Sequence, residues 1–226
     1  MANEFFFLIQ TLLVVGFTIW SARLGVHALA ALISINGMLA NFFIVKQMEL
    51  FGLTVTCSDV FAVGSIIGLN LMQERFGKDA AKKTIQISFV CLVFFVFVSQ
   101  IHLSYTPSMQ DTADGAFHQI LQFTPRIVLS SLAVFYIVQK FDVFFFGYLQ
   151  TLFKGKSLGT RMGISLVASQ FLDTLFFSFA GLWGIAYSIF DVILMSFAIK
   201  CVSIACSAPF LSLARFFFPR DCETIK

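Results

Sequence analysis

The chain has 226 residues, 58% hydrophobic and 12% charged, with 31 phenylalanines and a formal net charge of +3. About 25% charged residues is usual for a soluble domain, and a chain this short has no soluble core able to hide so many phenylalanines. Composition therefore excludes a soluble enzyme or binding domain, and the small positive charge leaves no nucleic-acid footprint. What remains is one domain, residues 1–226, folded as an all-α polytopic membrane bundle.

Seven apolar segments follow in order: 5–22, 26–45, 55–74, 84–104, 119–139, 162–182 and 186–208. Segments of roughly 20 residues fit membrane helices, not the shorter strands of a barrel. The first is preceded by Glu4 and by no basic residue, which is not a signal-peptide start, so it reads as a permanent span. The second carries Asn36 and Asn41 and ends at Lys46. Its asparagines either bond neighbouring helices or read a polar ligand.

The third segment has Asp59 near its outer end, where an interfacial position is the plainer reading, and Asn70, Gln73 and Glu74 near its inner end. Asn70 and Glu74, four apart, share a face; Glu74 is either a site residue or a boundary charge. The fifth begins TPRIVLSS. Pro125 frees a carbonyl there, and Arg126, placed about two turns inside, either snorkels outward or turns its planar donor fork inward. Asp142, close after Lys140, reads as half of a boundary charge pair.

The sixth segment carries a polar stripe. Ser165, Ser169 and Asp173 are spaced by four, and Gln170 and Thr174 lie beside them. In the seventh, Ser196, Lys200, Ser203 and Ser207 share a face. An ammonium this deep in a membrane needs a partner, and Asp173 and Glu74 are the candidates.

The loops divide by charge. Arg23; Arg75, Lys78, Lys82 and Lys83; Lys154, Lys156 and Arg161; and Arg215, Arg220 and Lys226 fall on one side. The 105–118 loop on the other has no Lys or Arg. The positive-inside rule then puts the N-terminus outside and the C-terminus in the cytoplasm. Five cysteines, Cys57, Cys91, Cys201, Cys206 and Cys222, form no CxxC pair, and His27, His102 and His118 are scattered, so neither a metal site nor a cofactor is expected. GKS at 155–157 lacks the upstream glycine of a phosphate loop. No HExxH or GxSxG motif suggests an intramembrane enzyme. The candidate substrate-binding set is Asn41, Asn70, Glu74, Arg126, Gln170, Asp173 and Lys200. With aromatic rings such as Tyr136 and Tyr187, it permits a planar, hydrogen-bonding, mostly neutral solute.

Five stretches carry a resemblance: NGMLANFFIVK at 36–46, NLMQERFGKDAAKKTI at 70–85, PRIVLSSLAVFYIVQKFDVFFF at 125–146, SQFLDTLFF at 169–177, and Lys200. In this order, over about 36–215, they resemble the queuosine precursor transporter family, also called the vitamin uptake transporter family. Relatives often carry Asp where this chain has Asn70.

The resemblance implies an S-component-like six-helix core, with the first span as an addition. It also implies import into the cytoplasm of 7-cyano-7-deazaguanine, 7-aminomethyl-7-deazaguanine or queuine for tRNA modification. Such a base offers N1–H and a 2-amino group to a carboxylate, for which Glu74 and Asp173 are the candidates. Its carbonyl needs a donor from Arg126, Lys200, Asn41 or Gln170. The partners are then the base and the bilayer, with a homo-oligomer or energy-coupling subunits left open. The alternatives are a vitamin-binding subunit of an energy-coupled uptake system and, in another class, an intramembrane enzyme or scaffold.

Overall fold

Backbone groups in lipid have no water to bond, so an apolar chain satisfies them inside helices. The computed structural model describes residues 2–152 and 158–202. Helices α1 (Ala2–Leu24), α2 (Val26–Phe43), α3 (Asp59–Phe76), α4 (Lys78–Leu103), α5 (Asp114–Leu121), α6 (Thr124–Leu152) and α7 (Leu158–Leu182) follow one another. Residues 189–202 form a further helix, α8. Each of the seven expected segments overlaps one of these helices, and α5 is an extra short turn before α6. Among the described residues, five stretches are long and apolar enough to cross a membrane: α1, α2, α4, the α5–α6 run and α7 from Ile164. Their outer faces show why lipid is required. Phe5, Phe6, Trp20, Phe94 and Phe97 all point away from the protein.

The first four helices form one half of the bundle, with α1, α2 and α4 packed around α3. Its core joins Leu29 and Ile33 of α2 to Leu71, Met72 and Phe76 of α3 and to Ala80 and Ala81 of α4. The sharp turn from α3 to α4 is a single residue, Gly77, whose φ of 92° is a backbone state that side chains strongly disfavour. In the other half α6 pairs with α7 and leans on α4. Close approach within the first half depends on α3 having no side chain at two positions one turn apart. A Cβ on Gly64 would lie 2.4 Å from Val14 Cγ1 and 2.8 Å from Asn36 Nδ2, and one on Gly68 would lie 2.7 Å from Ile33 Cγ1. Small residues at this spacing are how membrane helices without a hydrophobic driving force pack tightly.

Two local expectations change. The Lys46–Glu49 region is not a simple turn leading to a span at 55. Strands β1 (Gln47–Leu50) and β2 (Leu53–Thr56) pair as an antiparallel hairpin with Leu50 opposite Leu53, and α3 starts only at Asp59. The consecutive β-branched residues Thr54, Val55 and Thr56 suit strand β2, and Phe51 and Gly52, both at positive φ (51° and 80°), make the two-residue turn that matches strand twist. Leu50 and Val55 bury against Met195 of α8, so the hairpin caps one end of the bundle. Likewise the fifth segment starts later and runs further, as α6. Pro125 therefore sits in the first turn of α6, and the Leu121 carbonyl four residues before it accepts instead from Gln100 Nε2 at 3.3 Å, the polar neighbour that a freed carbonyl requires.

Lys154, Lys156, the GKS at 155–157, Ser203, Ser207, Cys206, Cys222, Arg215, Arg220 and Lys226 lie outside the described residues. So does the side chain of Arg161.

Substituting alanine at Gly64 should drive α3 away from α1 and α2, destabilising the protein by about 1–3 kcal/mol through overpacking. Gly16→Ala in α1, where nothing lies within 4 Å of the new methyl, should be neutral or mildly stabilising. Thermal unfolding of the two purified variants in detergent makes the comparison; equal melting temperatures would contradict the close packing.

Candidate functional site

The polar stripe of α7 divides into two halves with different tasks. Toward the α6–α7 connection, Ser165 and Ser169 donate their hydroxyls to Asp142 Oδ1 of α6 at 2.6 and 2.7 Å. Asp142 is thus an interhelical anchor rather than half of a pair with Lys140, whose ammonium sits 4.7 Å from the Tyr136 ring centre. Nearer the hairpin end, Thr174 donates to the Gln170 carbonyl at 2.9 Å, and Asp173 meets α8.

There Lys200 Nζ donates to Asp173 Oδ2 at 2.7 Å and to Thr174 Oγ1 at 3.0 Å. The Lys200 side chain is only 13% exposed and that of Asp173 32%. The pair forms part of the wall of a cavity of about 320 Å³, at the small end of the roughly 300–1,000 Å³ typical of ligand pockets. Helices α2, α3, α4, α6, α7 and α8 and strand β2 all contribute to its lining. Phe89, Phe135 and Phe177 supply aromatic surface, the first two in edge-to-face contact at 5.1 Å. Hydroxyls come from Thr56, Ser58, Ser65, Ser131, Ser178 and Ser196. The cavity can therefore hold a flat ring against aromatic faces while hydrogen-bonding its edges.

Of the sequence-derived set, the structure brings Asn41, Asp173 and Lys200 to this cavity. Asn41 anchors its own amide N–H on the Gly37 carbonyl at 2.8 Å, leaving the amide oxygen to accept from a solute. Gln170 stands one turn from the wall and contributes its carbonyl to Thr174. Asn70 and Glu74 lie on the last turns of α3, are engaged with neighbouring groups, and are not among the lining residues. Arg126 is exposed in the first turn of α6, where its Nε donates to the Ala180 carbonyl of α7 at 3.2 Å. That bond staples α6 to the end of α7, and the guanidinium is not among the groups lining the cavity.

One residue on the wall was read as interfacial. Asp59 is 5% exposed and lines the cavity. Its Oδ2 is buried and has no hydrogen-bond partner among the described residues, and Ser196 lies on the same wall. Its only signal in the sequence was an aspartate in an apolar segment, and the unrecognised hairpin before it made that position look like a membrane edge.

Comparison with known proteins follows from this geometry. Residues 56–214 match the family model described as "Putative vitamin uptake transporter". The chain is also similar to a "Probable queuosine precursor transporter" from Bacillus subtilis (strain 168), at 30% identity over 189 residues, covering 80% of this chain and 81% of that protein. No solved structure matches.

The buried pair makes a double-substitution forecast. Removing one partner of a buried ion pair costs about 3–5 kcal/mol, whereas replacing both can be near neutral. Lys200→Met should therefore lower the melting temperature in detergent more than Lys200→Met combined with Asp173→Asn. A double variant less stable than the single one would show that the two charges do not compensate each other.

Proposed function

The chain belongs to the vitamin uptake transporter family, and we propose that it is a multi-pass membrane carrier of a 7-deazaguanine precursor of queuosine. The carrier moves the base into the cytoplasm unchanged, so it is not an enzyme. The observation that carries this reading is the cavity between Phe89, Phe135 and Phe177, with its Lys200–Asp173 ion pair. A planar base with donors and an acceptor along one edge uses each of these features. The relative named as a queuosine precursor transporter supports the same solute class. Asn41, Asp173 and Lys200 are the site residues this reading retains. Glu74, Asn70, Arg126 and Gln170 act in it through helix packing.

Orientation follows from charge. Arg23, Arg75, Lys78, Lys82 and Lys83 all lie toward the Gly25 and Gly77 turns, opposite the hairpin. By the positive-inside rule that end faces the cytoplasm. The hairpin then caps the cavity from outside, on the side where the base enters. The protein sits in the bacterial inner membrane with its N-terminus out and its C-terminus in.

Two measurements test these statements. In bacteria lacking both precursor synthesis and their own importer, the wild-type chain should restore queuosine in tRNA when 7-cyano-7-deazaguanine, its aminomethyl form or queuine is fed at low concentration. Asp173→Asn, confirmed in the membrane, should lower the yield at least about tenfold, the loss expected when a charged partner is removed from a dry site. No restoration with any base would defeat the solute assignment. Restoration only with co-expressed ATPase and coupling subunits would favour the energy-coupled binding subunit. For orientation, Met109→Cys, in the fully exposed loop after α4, should react with a membrane-impermeant maleimide in intact spheroplasts above the level of the unsubstituted chain. Labelling only after lysis would invert the topology.

A further inference from the structure

We propose that Asp59 is the carboxylate that receives the paired donors of the base, and that the Lys200–Asp173 pair reads the neighbouring carbonyl. This inference rests on the deazaguanine reading above and specifies how that solute is recognised.

The argument is one of hydrogen-bond capacity. An aminated deazapurine ring presents a carbonyl, N1–H and the 2-amino group side by side on one edge, so it needs an acceptor pair beside a donor. Glu74 is not on the cavity wall, and Asp173 has Oδ2 committed to Lys200. Asp59 is the other carboxylate in the lining. Its Oδ2 is buried and has no hydrogen-bond partner among the described residues. Unpaired buried acceptors are costly, so they persist where something else completes them. Ser65 Oγ, also on this wall, is buried and unpaired too.

The donor lies at the right level. Lys200 is four residues beyond Ser196 on α8, hence on the same face and about 6 Å further along the helix. An ammonium has three donors, and Lys200 uses one on Asp173 and one on Thr174. The third is available to a carbonyl. Asp173 in this scheme positions the ammonium and does not touch the base, which separates the two aspartates by experiment.

The probes are 7-cyano-7-deazaguanine and its analogue lacking the 2-amino group, titrated against the full-length purified chain by calorimetry. Wild type should prefer the aminated base by roughly 10- to 100-fold, the range for a bidentate pair left half-made. Asp59→Asn should bind both weakly, with the preference reduced to within about threefold, because its amide offers one acceptor instead of two. Asp173→Asn should lose affinity for both bases and keep the preference. If Asp59→Asn is not recovered folded, Asp59→Ser, which keeps a short polar side chain at that position, is read in its place. Preference retained in the Asp59 variant, or lost in Asp173→Asn instead, overturns this assignment while leaving transport intact. Wild type binding neither base overturns the assignment and the solute reading together.

Discussion

An ammonium inside a helical bundle can remain there only if something takes its charge, and Lys200 is that ammonium. Its bond to Asp173 fixes the register of α8 against α7, since moving either helix by one residue would separate the groups and strand a charge in a poorly solvated interior. The bond to Thr174 adds a second point on the same turn. Once α7 and α8 are held, the remaining polar groups of α7 must find partners on α6. They do so at Asp142, through Ser165 and Ser169. One half-buried lysine thereby organises a chain of contacts across three helices, and the cavity opens where that chain faces α2 and α3.

The first half of the bundle meets this requirement by different means. Its helices approach through absent side chains, at Gly64 and Gly68, and through apolar contacts among α2, α3 and α4. This rigid half presents Asp59, Ser65 and Asn41 to the charged half. The site is thus built between a wall held by packing and a wall held by electrostatics. Solute carriers need such an arrangement, because a seam held by polar bonds can exchange partners with a polar solute, whereas an apolar core cannot.

Much of this was legible in the sequence, for a physical reason. Apolar runs of about 20 residues have few alternatives to the membrane helix, and a stripe repeating every fourth residue has a side before any coordinates exist. Lys200 and Asp173 could be proposed as partners because each is costly alone. The sequence did not reveal that the α7 stripe serves two neighbours, since Ser165 and Asp173 share a face but sit about two turns apart along the axis. The hairpin was hidden because its strands are four residues each, too short for periodicity to separate from a span end. Missing it moved the start of α3 and made Asp59 look interfacial. Arg126 was misplaced by the same kind of boundary error, at a helix that begins where the segment seemed already deep.

The hairpin also has a mechanical consequence. Among the hydrogen bonds that join it to its surroundings are Asn3 to the Glu49 carbonyl, the Phe51 N–H to Glu4, the Thr54 N–H to Asp191, Gln47 to both Ile185 and Tyr187, and Thr56 with Ser58. Every one involves a side chain, and its own ladder closes internally between the two strands. Such a piece is a self-contained unit, because releasing it would break side-chain hydrogen bonds and unbury Leu50 and Val55 while its own ladder stays closed. A loop of irregular backbone in the same place would have to unravel to move. A fusion partner attached at the N-terminus would hang beside Asn3 and Glu4, two of the hairpin's own fastenings, which makes that end a poor choice for a tag.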